Sequence, residues 1–546
     1  MLMDQNSPMP LTNIQTLISD YVHHYVKLSP EREAVVYGDQ RISYGELQDQ
    51  VYHCAKALLA MGVKKGDVVA TLCTPRPEYW VIFLATTSIG AIWMGLNPKY
   101  SLEECRYIIG DAKPKLLFAM AEFEGRDYSP MVSSLLSEFD FLEQAIALTE
   151  PMPGAMSYGV FLEGAAQIER DSYRQTITAV DTMDPALLVY TSGSSGRPKG
   201  ALLSHYGLCF GATAQNQHFK VTQPSIICSF PINHVACVAD TCCVILVAGG
   251  TIYFQERFDP TLVLKTVAAE RISLLGGVPT MILMLLDHPD FKQTDFSSVA
   301  LFIWGGAAMP EPTIKRLQKL FPRLMNVYGM TETAANTTYS RDDASLEQLR
   351  DTIGHPSPYM PCRIVNTEGK ICEIGEQGEL QFKGDYLLLE YLNRPEATRD
   401  VYTHDGWLHT GDVGYLRDDG AITLIGRMSD MFKSGGYNVY PREIELLLES
   451  HPSVDMAAVV GVPDPLYQEV GAAYIQLKPG CEATGEMLQA FCKESLANYK
   501  IPKHFILTAE LPMLPVGKVD KVALKKRSLN QADNPTTSQS QHQVMI

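Results

Sequence analysis

The sequence predicts an α/β protein: a large N-terminal domain of mixed, largely parallel sheets with flanking helices, then a small α+β C-terminal domain. Three observations predict it. Amphipathic helical stretches alternate with short apolar strands up to residue 426, several of those strands run into glycine-rich loops, and the texture changes after Arg427. At 546 residues the chain is also too long for one core, so at least two domains are expected.

The first complete element begins at Ser43. Ser43 and Glu46 have the spacing of a capping box, Leu47, Val51, Ala55 and Leu58 fall on one helical face, and Gly62 supplies the stop. A strand over 68–72, a helix from Glu78 and a strand over 91–96 follow, which is β-α-β order and implies parallel pairing. The apolar stretches 81–96 and 235–254 are broken by Thr86, Thr87 and Ser88, and by Asp240, Gly249 and Gly250. They are expected to be buried helix–strand units rather than membrane spans.

Four later strands end in unusual loops. Residues 187–190 run into "YTSGSSGRPKG", and Leu274–Leu275 lead to Gly276, Gly277 and Pro279. Residues 301–304 lead to Gly305, Gly306 and Ala307, and residues 325–327 to "YGMTE". Any one glycine here is adequately explained by a tight turn. Four such loops at strand ends, carrying different polar groups, point instead to one shared ligand site. In the C-terminal domain, expected over 427–528, a glycine-rich turn at 433–437 precedes Pro441 at the start of a helix through Glu449, then a strand over 456–460. Residues 529–546 are polar and turn-rich and are expected to be a disordered tail.

The net charge of -17 disfavours nucleic acid and anionic membrane as partners. The N-terminal residues lack a signal-peptide pattern, and the 12 cysteines contain no CxxC pair and no metal-ligand spacing. A reduced, cytoplasmic protein without structural zinc is expected.

The run "YTSGSSGRPKG" is not a Walker loop, because Pro198 precedes Lys199 and no Ser or Thr follows it. It is one residue short of the hydrolase elbow GxSxG, and the apolar residues on both sides argue against a flexible linker. What remains is a hairpin offering the hydroxyls of Thr191, Ser192, Ser194 and Ser195, the backbone of Gly193 and Gly196, and the Lys199 cation, suited to closing over a polyphosphate.

With that loop, four further motifs occur in order: "VYGMTET" at 327–333, "HTGDVGYLRDDG" at 409–420, "GRMSDMFKSGGYNVYPREIE" at 426–445 and "PVGKVDK" at 515–521. Together they make nearly the whole chain resemble the adenylate-forming superfamily, on its acyl- and aryl-CoA ligase branch. The resemblance implies a mobile C-terminal domain that rotates about a hinge near Arg427, with ATP, Mg²⁺ and coenzyme A as cofactors. It implies that Glu332, with Thr191, holds Mg²⁺, that Thr331 contacts the α-phosphate and that residues 191–196 and Lys199 embrace the β- and γ-phosphates. Tyr328 would pack on adenine, Asp412 and Arg427 would contact ribose, and Gly306, Ala307, Ala308 and Gly329 would complete the nucleotide site.

A carboxylate attacking the α-phosphate brings two anions together. Their repulsion is about 4 kcal/mol at 4 Å and an effective dielectric near 20, so cations and oriented donors must offset it. Lys518 matches the lysine that bridges the two in this family. After rotation the Lys433 loop would replace it, with Gly435 and Gly436 lining a narrow thiol tunnel and His234 acting as a gate. The implied acid pocket is apolar and small-walled, from His234, Val235, Ala236, Cys237, Val278, Trp304, Gly305, Gly306, Ala307, Met330, Ala334 and Ala335. It suits a fatty or aryl-propenoic acid. Asp240, on the same helix, either faces that pocket and favours a hydroxylated or cationic acid, or serves as a buried structural group.

Two positions depart from the family pattern. Ser429 stands where a hinge Asp or Lys is common, and Val235 replaces the Asp that binds the amino group in amino-acid activators. The leading expectation is a two-step acid–CoA ligase acting on a small-molecule carboxylic acid. An acyl-AMP ligase loading a separate acyl carrier protein and a non-catalytic nucleotide-binding relative stay open, as does the oligomeric state.

Overall fold

The structure, a computed structural model, describes residues 11–12, 14–191, 197–513 and 519–533. It divides into two compact units, Met1–Arg363 with Gln381–His409, and Ile364–Leu380 with Thr410–Ile546.

Two large sheets make the first unit, one of nine strands and one of eight. In the nine-stranded sheet Leu324–Met330, Leu301–Gly305, Leu274–Gly277, Ser225–Cys228, Thr251–Phe254 and Glu33–Tyr37 run parallel in that order. Ala335–Tyr339 and Gln40–Ser43 add antiparallel strands toward the two edges. In the eight-stranded sheet Pro185–Thr191, Ile92–Leu96, Val68–Leu72, Leu116–Ala119 and Gln144–Ala147 are parallel, and Lys199–Ser204 folds back antiparallel on Pro185–Thr191. The expected β-α-β order and largely parallel pairing are thus present.

Local signals act as anticipated. Ser43 Oγ accepts from the Glu46 N–H and the Glu46 carboxylate accepts from the Ser43 N–H, so the helix Tyr44–Ala60 begins in a complete capping box. Leu47, Val51, Ala55 and Leu58 are all buried on its inner face. The apolar stretch from Val81 forms helix Pro77–Ser88 and strand Ile92–Leu96, both buried. The stretch from Val235 forms a helix ending at Val247 and strand Thr251–Phe254. No helix among the described residues is long and apolar enough to cross a membrane. Within this core the Tyr79 hydroxyl lies 3.2 and 3.0 Å from the Cys237 and Cys242 sulfurs, and Cys228 Sγ is 3.5 Å from Cys237 Sγ. The fold gathers three thiols that show no ligand spacing in sequence.

In the second unit the strands Val454–Asp464 and Gln468–Leu477 form a long hairpin. Phe432–Ser434 and His504–Leu507 pair with Gln468–Leu477, and helices Pro441–Glu449 and Gly485–Ser495 belong to the same unit. Leu408–Leu416 ladders with Ile422–Arg427 from Asp412↔Arg427 to Leu416↔Ile422, so Arg427 ends a paired strand inside the second compact unit. The helix Lys521–Asp533 continues into the stretch expected to be a disordered tail. The polar residues there do not interrupt a helix that starts at Lys521, and 534–546 lie outside the described residues.

Candidate active site

In the first unit the site grows from the carboxyl end of strand Leu324–Met330. Gly329 is required there, because a Cβ would lie 2.4 Å from the Ala335 carbonyl oxygen of the neighbouring strand. The chain then turns tightly through Thr331–Thr333. Thr333 Oγ1 accepts from the Met330 N–H at 3.1 Å and lies 2.8 Å from both the Met330 and Ala335 carbonyls, which pins the turn. Thr331 and Glu332 are therefore held in place, and both are buried.

Glu332 Oε1 accepts a 2.6 Å hydrogen bond from the Tyr391 hydroxyl, and its carbonyl accepts from the Leu388 N–H at 2.8 Å. Burial first, and then the Glu332 charge, push the phenols of Tyr391 and Tyr402 well above their ordinary range. A phenol donor occupies one acceptor position of this carboxylate and leaves others for a hard cation, so the donor chemistry fits Mg²⁺. Lys199 Nζ sits 5.1 Å from the centre of the Tyr391 ring. Lys199, Tyr391 and Glu332 thus form one line from the base of the glycine-rich hairpin to the carboxylate.

The base of that hairpin is braced. Thr191 pairs with Lys199 across the ladder, with Thr191 Oγ1 3.5 Å from the Lys199 carbonyl. The Tyr107 hydroxyl donates to the Pro198 carbonyl at 2.8 Å, and the Tyr190 hydroxyl to Asp111 Oδ2 at 2.8 Å. Arg394 pairs with Asp111 at 3.1 Å. Residues 192–196, expected on the phosphates, lie outside the described residues.

Of the residues expected in the acid pocket, Val235, Cys237, Trp304 and Ala334 pack into the hydrophobic cores, and Ala335 is buried with them. Ala236, Val278, Gly305 and Met330 are half-buried, and Gly306, Ala307 and Ala308 are exposed. His234 caps the short helix Val235–Cys237, its Nδ1 accepting from the Ala236 N–H at 3.1 Å. That leaves the proton of the neutral ring on Nε2. Tyr328, half-buried, sits on the same strand as Gly329, and its carbonyl accepts from Thr337 Oγ1 at 3.2 Å.

In the second unit Asp412 is buried and takes a hydrogen bond from Arg427 Nε at 3.1 Å, directly across the ladder. The two residues expected on ribose are therefore already partnered, and the Arg427 side chain is 54% exposed, so this pair contributes little stability. Lys433 is exposed on strand Phe432–Ser434. Ser434 pairs with Tyr437 around Gly435 (φ 58°) and Gly436 (φ 87°), so both glycines occupy the left-handed region that a two-residue hairpin demands. A Cβ at Gly436 would meet nothing within 4 Å, so backbone angle rather than crowding explains it within this unit. Asp430 lies 3.4 Å from Lys521 Nζ, and Ser429 Oγ donates to Asp430 at 3.2 Å. Lys518 lies outside the described residues.

Tyr391, Tyr107, Asp111 and Arg394 escaped the sequence reading, since none belongs to a glycine-rich or charged motif. Tyr107 and Asp111 lie on helix Leu102–Ala112 and Tyr391 on strand Glu390–Tyr391, and nothing local signals what they will touch.

The AMP-binding enzyme family profile matches residues 22–392, and the AMP-binding enzyme C-terminal domain profile matches 443–518. The chain belongs to this family, on its acyl-CoA ligase branch, and is an AMP-forming acid–thiol ligase. It is 33% identical over 522 residues to a putative acyl-CoA synthetase of Bacillus subtilis, covering 92% of this chain and 95% of the relative. It is 32% identical over 504 residues to a feruloyl-CoA synthase of Amycolatopsis, covering 92% and 97%. The structure of ATP-bound MatB from Rhodopseudomonas palustris superposes with a TM-score of 0.83 at 29% identity, covering 94% of this chain and 99% of that one.

Proposed function

We propose that the protein activates a hydrophobic fatty or aryl-propenoic acid in two half-reactions. In the first, a carboxylate oxygen attacks the α-phosphorus of ATP and pyrophosphate leaves, giving acyl-AMP. In the second, the thiol of coenzyme A attacks the acyl carbon, AMP leaves and the thiol proton is released. The observation that carries this reading is the line Lys199–Tyr391–Glu332, in which a lysine and a carboxylate meet one tyrosine beside the base of the glycine-rich hairpin, a set that suits phosphate and Mg²⁺.

Glu332, with Thr191, would hold Mg²⁺, whose charge offsets that of the phosphates. Lys199 steadies the departing pyrophosphate, Thr331 the α-phosphate, Tyr328 the adenine, and Asp412 with Arg427 the ribose. For ribose to bind, Arg427 must share Asp412, and its side chain is 54% exposed. Lys518 serves adenylation and the Lys433 loop thioesterification, exchanged by rotation near Ser429–Asp430, and His234 gates the thiol path. The 12 free cysteines, ten of them buried, suit a reducing compartment, and the setting proposed is the cytoplasm.

A pyrophosphate-release screen over fatty, aryl and amino acids, with and without coenzyme A, tests the reading. Release with a hydrophobic acid and formation of its CoA thioester is the expected result. Pyrophosphate release that never yields a CoA thioester, with loading of a carrier protein instead, would overturn the choice of acceptor.

A further inference from the structure

Three thiols meet in the core of the first unit, and the chemistry above uses none of them. Cys228 ends strand Ser225–Cys228, Cys237 ends the short helix capped by His234, and Cys242 lies in the π-helical turn Val238–Cys243. Cys228 Sγ is 3.5 Å from Cys237 Sγ and 3.9 Å from Cys242 Sγ. All three sulfurs lie within 4.8 Å of one another, the only such set of three His, Cys, Asp or Glu side chains among the described residues. From helix Pro77–Ser88 the Tyr79 hydroxyl reaches in, 3.2 and 3.0 Å from the Cys237 and Cys242 sulfurs. All four residues are buried, and the three cysteines are free thiols.

The irregular helix is what closes the set. Residues five apart stand roughly 140° apart around an α-helix, which would send Cys237 and Cys242 to different sides. The i→i+5 repeat of the π-turn brings Cys242 round to Cys237 instead, and such turns are rare and gather at functional sites. The spacing also has the size of a metal centre. A Zn–S bond of about 2.3 Å puts tetrahedral sulfurs about 3.8 Å apart. The 3.5 and 3.9 Å separations from Cys228 lie on either side of that value. Thiolates select soft ions such as Zn²⁺ and Cu⁺ over Mg²⁺. Three thiolates leave one net negative charge around a divalent ion but two around a monovalent one, and a dry core favours the smaller charge. A hydrogen bond from the Tyr79 hydroxyl to a thiolate spreads that charge further.

We propose that Cys228, Cys237 and Cys242 hold a thiophilic divalent ion, zinc in the cell, with Tyr79 as the hydrogen-bond donor beside it. Binding exchanges the three S–H protons for the ion, and the protons pass to solvent. The ion enters as the chain folds, because the finished core covers all three sulfurs. It ties the end of strand Ser225–Cys228 to the segment that begins at His234, so its role is structural. The Mg²⁺ assigned to Glu332 is a different ion at a different place, and the zinc site stands whether or not the ligase reading holds.

The test is the metal content of the full chain, expressed in zinc-supplemented medium and purified without chelator. Zinc in a one-to-one ratio to the chain, retained through dialysis, is the expected result. Cys242→Ala should lose it, whereas Cys243→Ala, next in the chain but outside the set, should keep it. Tyr79→Phe should keep zinc but yield it faster to a chelator. Zinc-loaded wild type should melt at a higher temperature than the zinc-free chain, with no such difference in Cys242→Ala. X-ray absorption at the zinc edge needs no variant, and should show three sulfur neighbours at about 2.3 Å. Wild type purified free of zinc, zinc without the three-sulfur shell, or zinc retained in full by Cys242→Ala overturns the inference and leaves the thiols as small apolar core side chains. A chain that carries copper instead overturns the choice of ion.

Discussion

Replacing Tyr391 with Phe removes one oxygen atom and tests whether the phenol positions the Glu332 carboxylate. The lost bond is short, at 2.6 Å, and its acceptor is a carboxylate only 7% exposed. Hydrogen bonds to charged groups contribute about 1.5 to 3 kcal/mol. At about 1.4 kcal/mol per factor of ten, that is a loss of roughly 12- to 140-fold in kcat/KM for MgATP. The ring itself stays, so the contact with Lys199 persists and the loss isolates the hydroxyl. The assay is ATP–pyrophosphate exchange at several Mg²⁺ concentrations. The half-saturating Mg²⁺ concentration should rise together with KM for MgATP, because the carboxylate is no longer oriented. Thioester formation from supplied acyl-AMP, which does not involve the metal in this scheme, should change little. Less than a threefold change with an unaltered Mg²⁺ profile would refute the positioning role, as would an equal loss in both half-reactions.

Two other predictions concern the site. Lys518→Ala should cripple acyl-AMP formation while sparing thioester formation from supplied acyl-AMP, and Lys433→Ala should do the reverse; single-turnover assays of each half-reaction separate them, and equal loss of both steps in either variant contradicts the exchange of lysines. Gly329→Ala places a Cβ 2.4 Å from the Ala335 carbonyl, so the strand pair must part. The cost is expected to be about 1–3 kcal/mol or more with loss of adenylation, read by thermal unfolding and pyrophosphate release, and a variant with wild-type melting and activity would show that the close approach does not matter.

How much of this was legible in the chain follows the range of the physics. The capping box at Ser43 and Glu46, the helix Pro441–Glu449 and the parallel strands ending in loops are decided by residues within a few positions of one another. The order of the five motifs likewise marked the family. Burial of single residues was less legible. Val235 and Trp304 stand next to accessible residues in sequence, yet their side chains turn into the core. The pairing of Arg427 was hidden for a related reason: it ends a strand whose partner strand carries Asp412, and a ladder is invisible to local texture.

The sequence by itself determined the alternation of elements, the caps and the identities of Glu332, Asp412, Lys433 and Lys518, because these are written in short patterns. Only the tertiary structure decided what those residues touch. Tyr391 meets Glu332 across 59 positions, Tyr190 meets Asp111 across 79, and Asn336 meets Gln215 across 121. Asp111 lies on helix Leu102–Ala112 and Gln215 on helix His205–Phe219, so such contacts depend on which elements the packing lays side by side. Whole strands and helices separate the partners along the chain, so the pairs leave no mark at short range.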